Sequence, residues 1–151
     1  MSKWPIPQPM QRALDAARIA AGDGEVPIGA VVMRGEEVLA VAANRTRHPP
    51  DPTGHAEILA LRMAAEKLEN ERLIGCDLYV TLEPCAMCAG AISHARIARL
   101  YYAAPDPKGG AVEHGARVFE HAQCLHKPEV YSGMGQGEAA ELLKEFFKAR
   151  R

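Results

Sequence analysis

A short apolar run that leads straight into two cysteines sets the first constraint on this chain. Leu78 to Leu82 reads as a buried strand, and Glu83-Pro84-Cys85-Ala86-Met87-Cys88 follows it directly. Cysteines three apart at a helix start hold both sulfurs near one face. Proline near the first position of that helix is well tolerated. The positive end of the helix favours thiolate over thiol. Such a pair can be a redox dithiol, half of a metal site, or two small core residues. Two thiolates do not close a zinc shell, so a metal site needs a third ligand from elsewhere in the chain.

The surrounding elements limit where that ligand can lie. Met10, Ala13, Leu14, Ala17 and Ala21 keep helical spacing, and Gly22 and Gly24 end that helix. Val26 to Met33 and Val38 to Ala43 read as a hairpin around Arg34-Gly35-Glu36. A polar, proline-rich loop, Asn44 to Gly54, leads to a helix from about His55 to Leu68, with Thr53 as its expected cap. After the strand at Leu78 come a small-residue helix from Cys85 to about His94 and a strand from Ile97 to Ala103. Pro105 to Lys127 is loop-rich, and Ala139 to Ala149 closes the chain with Leu142, Leu143, Phe146 and Phe147 on one side. Strands alternating with helices after a hairpin predict one mixed sheet with helices on both faces. A chain of 151 residues fits one domain over 1–151, with about 1–8 as an irregular, proline-bearing lead-in.

Charge and hydropathy exclude several classes. The net charge of −1 gives no global positive field of the kind that grips nucleic acid non-specifically. Any RNA substrate must be held by a local patch. No apolar run approaches the roughly 20 residues of a membrane span, and the amino terminus lacks a signal-peptide core. The chain therefore reads as cytoplasmic, where thiols stay reduced, and its 4 cysteines point to metal or catalysis before disulfides.

Thr53-Gly54-His55-Ala56-Glu57 supplies the missing ligand. In a strand-helix-strand-helix layout, the helix starts at His55 and Cys85 can meet at one sheet edge, where α/β proteins place their sites. One histidine and two cysteines leave a fourth zinc position for water, which is the catalytic arrangement. Zinc there lowers the pKa of water toward about 7. His55-x-Glu57 followed by Pro84-Cys85-x-x-Cys88 is the zinc deaminase signature, in which the glutamate moves protons.

Beyond those motifs, EVPIGAVV (Glu25 to Val32), ANRTR (Ala43 to Arg47), DLYVTLEPCAMCAGAI (Asp77 to Ile92) and DPKGGA (Asp106 to Ala111) resemble the bacterial tRNA-specific adenosine deaminases. The resemblance runs from about Met10 to the carboxyl terminus. It implies a three-layer α/β/α, cytidine deaminase-like fold around a five-stranded mixed sheet. It also implies a homodimer with one zinc per subunit, no membrane contact, and conversion of the wobble adenosine (position 34) to inosine. The implied substrate is a tRNA anticodon stem-loop, with an ACG-anticodon arginine tRNA as the expected case. By position, His55, Cys85 and Cys88 would hold zinc. Glu57 would carry protons to purine N1 and the leaving amine as hydroxide attacks C6. Asn44 would contact the base through its amide, and the backbone at Ala56, Glu83 and Pro84 would help to fix it. Asp106 and Lys108 match the loop that meets the anticodon.

Other features compete with this reading. Asn44 is also an ordinary turn residue, and Asp, Pro and Gly dominate turns like that at Asp106. Arg45, Arg47, His48, Lys127 and the basic tail Lys144, Lys148, Arg150 and Arg151 are potential phosphate contacts; singly, each is an ordinary solvated charge. Gly54 stands where the family suggests alanine. His121, Cys124 and His126 form a second possible chelating group, although no fourth ligand is evident. The alternatives are a deaminase of a free base or nucleoside such as guanine or cytosine, and a non-catalytic zinc-containing RNA-binding subunit.

Overall fold

In the computed structural model, which describes residues 5–150, the alternation of strands and helices becomes a three-layer sandwich. The elements are α1 (Gln8–Gly22), β1 (Gly29–Arg34), β2 (Glu37–Ala43), α2 (Ala56–Leu68), β3 (Cys76–Leu82), α3 (Ala86–Ala95), β4 (Arg99–Ala104), β5 (Glu129–Ser132) and α4 (Gln136–Lys148). One turn of 3-10 helix, Val118–Glu120, interrupts the long loop after β4. The strands form a single sheet in the order β2-β1-β3-β4-β5. β1 is antiparallel to both of its neighbours, and β3, β4 and β5 run parallel.

Alternation along the strands sorts the core into two layers. Ala30, Val32, Leu78, Val80, Leu100 and Tyr102 pack with Ala60, Ala64 and Ile92 of α2 and α3. Val31, Met33, Tyr79, Tyr101 and Ala103 pack with Met10, Leu14 and Ala139 of α1 and α4. Burying each Val or Leu contributes roughly 1.5–3 kcal/mol, so both layers hold the sheet firmly. The short alanines of α2 let that helix approach β1 and β2 closely.

Several boundaries differ from those read from sequence. α1 starts at Gln8, because Pro7 serves as its N-cap and Pro9 fits the first turn. The lead-in is therefore shorter than expected; residues 1–4 lie outside the described region. β1 begins at Gly29 rather than Val26, since a tight turn links Ile28 N–H to the Val26 carbonyl at 2.8 Å. β5, implied only by resemblance, was invisible to periodicity: it is four residues long with only Val130 half-buried. Thr53 does not cap α2. Its N–H and hydroxyl both bond Asp51 Oδ1, at 2.9 and 2.7 Å, closing a local turn instead.

The sheet topology positions the site. β1 lies antiparallel between β2 and β3, so the carboxyl ends of β2, β3 and β4 share one edge. The loop to α2, the start of α3 and the loop after β4 all arise from that edge. Among the described residues, no helix is long and apolar enough to cross a membrane.

Candidate active site

The starts of α2 and α3 meet at this edge. His55 is the N-cap of α2 and Cys85 the N-cap of α3, and neither side chain caps its own helix. Both turn toward each other. His55 Nδ1 lies 3.6 Å from Cys85 Sγ and 3.5 Å from Cys88 Sγ. Metal bonds of about 2.1 Å to nitrogen and 2.3 Å to sulfur, at tetrahedral angles, separate the donors by roughly 3.6 Å. Both nitrogen–sulfur separations thus match a tetrahedral metal shell, and all three donor atoms lie within 4.8 Å of one another. Among the described residues this is the one group of His, Cys, Asp or Glu donors close enough for a metal.

The electrostatics of the group favour a cation. The Cys88 thiol donating to its neighbour is the main cause that draws Cys85 down to about 5, and the same contact pushes Cys88 up. Two sulfurs share one proton where a metal ion would neutralise both. Glu57 sits in the first turn of α2, 4% exposed. Burial pushes its carboxyl up to about 7, and the nearby charge of Cys85 adds to the effect. A carboxyl poised near neutrality can both take up and release a proton.

Asn44 caps α2 from a distance. Its Oδ1 accepts the Ala56 N–H at 2.8 Å, which satisfies an orphan donor of the helix and frees the His55 ring for the sulfurs. The Ala56 N–H is therefore committed to Asn44. Pro84 is buried, and its carbonyl accepts the Ala111 N–H at 2.8 Å. Gly54 is required here: a Cβ would lie 2.2 Å from the Arg45 carbonyl oxygen. Its own carbonyl accepts the Arg45 N–H at 2.8 Å, which pins the turn before His55.

Two buried carboxylates that sequence reasoning did not single out as side chains organise the flanking loops. Glu25 accepts the N–H groups of Thr46 and Arg47, both at 3.1 Å, and braces the loop that follows Asn44. Glu83 accepts the N–H groups of Asp106, Val112, Glu113 and His114 and the His114 ring, which gives that histidine a role. The only sequence sign was an acid inside an apolar stretch, as in Leu82-Glu83-Pro84. Asp106 closes its own turn, with Oδ1 accepting from Lys108 N and Gly109 N at 3.2 and 3.0 Å, while the Lys108 side chain is exposed.

Burial by itself would raise the Glu25 carboxyl, but hydrogen bonds from Thr46, Arg47 and His48 outweigh it and hold it below its usual value. A lowered folded pKa contributes stability above the unfolded value and loses it as pH falls through the folded one. Glu25→Gln should therefore cost about 1–3 kcal/mol at pH 7, and the gap to wild type should close as acid titrates Glu25. Thermal melts of both proteins from pH 7 down through the acid range measure this; a gap that never narrows as the pH falls would contradict it.

The second chelating group does not form. His121 Nε2 bonds the Ala116 carbonyl at 2.6 Å and His126 Nε2 the Ile97 carbonyl at 2.7 Å. Cys124 Sγ lies against Ser93 Oγ and the His126 carbonyl. These side chains tie down the loop that precedes β5. In the basic tail, Arg150 stacks over the Phe146 ring at 3.6 Å and bonds the Phe146 carbonyl, and Arg151 is outside the described residues.

A mixed α/β/α sheet with a histidine, two cysteines and a buried glutamate gathered at two helix starts defines a deaminase, and residues 7–151 match the MafB19-like deaminase family. The chain is 58% identical, over 94% of its length and 93% of the relative's, to the tRNA-specific adenosine deaminase of Agrobacterium fabrum. A solved structure from work on A-to-I editing by tRNA:A34 deaminases superposes with a TM-score of 0.88 at 58% identity, covering 89% of this chain and 98% of that one. A guanine deaminase from Bacillus subtilis is more distant, with a TM-score of 0.64 and 36% identity over 70% of this chain and 66% of that one. The chain belongs to the tRNA-specific adenosine deaminase family.

Proposed function

We propose that this chain, as a single zinc-dependent deaminase domain, converts adenosine 34 of a tRNA anticodon to inosine by hydrolysis at purine C6. The observation that carries this reading is the 58% identity spread over 94% of the chain. His55, Cys85 and Cys88 would hold zinc, one ion per subunit, consistent with their donor spacing of 3.5–3.6 Å on nitrogen and sulfur. Bound zinc supplies a water that is acidic enough to attack near neutral pH.

The chain's own groups do the rest. Glu57 would take one proton from the attacking water and place it on purine N1, then take the second from the new C6 hydroxyl and deliver it to the amine, which leaves as ammonia when the C6–N bond breaks. Its burial supports this, because a carboxyl shielded from solvent keeps the proton in the site. The Asn44 amide, anchored through Oδ1, would present its Nδ2 donor to the base edge. Pro84 and Glu83, next to the first cysteine, would line the same pocket through their backbone.

The loop carrying Asp106 and Lys108, and the exposed Arg45, Arg47 and His48, would meet the anticodon stem-loop. A hairpin-loop base is already nearly unstacked, which lowers the cost of bringing it to the site. An ACG-anticodon arginine tRNA is the substrate we expect, met in the cytoplasm. The outer surface of α2 and α3 exposes Met63 (46%) and Met87 (38%), and Leu125 (86%) lies beside α3. Exposed apolar side chains on these helices suit a homodimer formed through them.

The direct test is incubation of the protein with an ACG-anticodon stem-loop and analysis of its nucleosides. Inosine at the wobble position is the expected result. The likeness to a guanine deaminase favours one alternative, a free purine substrate. Ammonia released from guanine, with no inosine from the stem-loop, would replace the tRNA reading with it.

A further inference from the structure

The Glu83 side chain is fully buried, 0% exposed, and the hydrogen bonds it accepts all come from one loop. Oε1 accepts the Asp106 N–H at 3.0 Å and the His114 ring Nδ1–H at 2.7 Å. Oε2 accepts the N–H groups of Val112, Glu113 and His114 at 3.1, 3.0 and 3.1 Å. The loop wraps so closely that a Cβ on Gly110 would lie 2.4 Å from Glu83 Cδ. Two residues beyond Glu83 is Cys85, so the loop is fastened to the segment that carries the candidate metal donors.

We propose that Glu83 is a positioning residue, whose carboxylate holds residues 106–114 in one arrangement beside the active site so that Asp106 and Lys108 are preset for RNA. The proposal rests on the tRNA reading above. Residues 106–114 contain no helix or strand: the amides of Lys108, Gly109, Gly110 and Ala111 bond Asp106 or Pro84, and those of Asp106, Val112, Glu113 and His114 bond Glu83. Charge-assisted hydrogen bonds to a single buried carboxylate supply what regular structure would have supplied. A loop ordered in advance does not have to be ordered on binding, and the gain appears as affinity. The groups assigned to chemistry, His55, Glu57, Cys85 and Cys88, sit on α2 and α3 rather than on this loop. A loosened loop should therefore weaken substrate capture more than turnover.

Glu83→Gln keeps the shape but removes the charge and turns an N–H toward the loop amides. It should raise KM for the stem-loop by about tenfold or more with kcat within about threefold, the pattern of a lost binding interaction. Zinc content should be unchanged. Amide hydrogen exchange at Val112, Glu113 and His114 should accelerate, while the β3 and β4 amides keep their protection. Gly110→Ala perturbs the same seat from the loop side and should reproduce both effects. His114→Ala removes one donor and should give a smaller KM effect that is not additive with Glu83→Gln. If Glu83→Gln does not fold, KM and amide exchange in Gly110→Ala and His114→Ala decide the matter.

A KM within twofold of wild type with protected loop amides would overturn the proposal. So would a parallel fall in kcat and zinc content, which marks a purely structural role. Failure of wild type to deaminate the stem-loop would instead overturn the tRNA reading, and the exchange data alone would then decide whether Glu83 holds the loop.

Discussion

Glu57→Ala should abolish inosine formation for practical purposes, with kcat lowered by about 10²–10⁴-fold, the range supplied by a positioned proton-transfer group. The variant should still bind one zinc per chain, because Glu57 is not among the three donors gathered at the two helix starts. Its fold should also survive, since Glu57 is a group that burial already drives toward the neutral form. The measurement is single-turnover inosine formation beside metal analysis of the same sample. Activity within tenfold of wild type would remove Glu57 from the proton-transfer role. Loss of zinc together with activity would instead make it part of the metal shell.

Removal of the metal should be the other large effect. Dialysis against a chelator is expected to bring deamination to background, and one equivalent of zinc per chain is expected to restore it. The same titration should register in stability. A ligand at about 1,000 times its Kd raises the stability of the state it binds by about 4.1 kcal/mol. Zinc should accordingly shift the melting temperature upward in wild type and much less in Cys88→Ser, where one thiolate donor is lost. A chelated protein with full activity, or an equal zinc shift in Cys88→Ser, would refute the assignment of this donor set.

The parts of the site legible in sequence were those encoded locally. His55-x-Glu57 and Pro84-Cys85-x-x-Cys88 each occupy a single helix start, so two short contiguous motifs that match the zinc deaminase signature located them, and the alternation of strands with helices placed both starts on one sheet edge. What stayed hidden was encoded across the chain. Asn44 caps a helix that starts 12 residues later, displacing the nearer and chemically reasonable Thr53. The Glu25 and Glu83 contacts span 21 to 31 residues, and a side chain that bonds distant backbone leaves no periodic trace. β5 failed for a different reason: a short strand that is mostly exposed has no alternation to read. Histidine and cysteine spacing at His121, Cys124 and His126 suggested chelation, but the nearby carbonyls are stronger competitors for those rings than an absent fourth ligand.

The reversed direction of β1 also divides the molecule into a working rim and a permissive one. β1 ends and β2 begins at the edge away from His55, joined by the turn at Gly35, whose φ of +59° marks a tight reversal in open space. A strand of this length spans roughly 17–20 Å. Cargo inserted at Gly35, whether a fluorophore, an affinity handle or a tethered guide domain, therefore sits a full sheet height from the chemistry. It leaves the three loops that frame the active edge untouched.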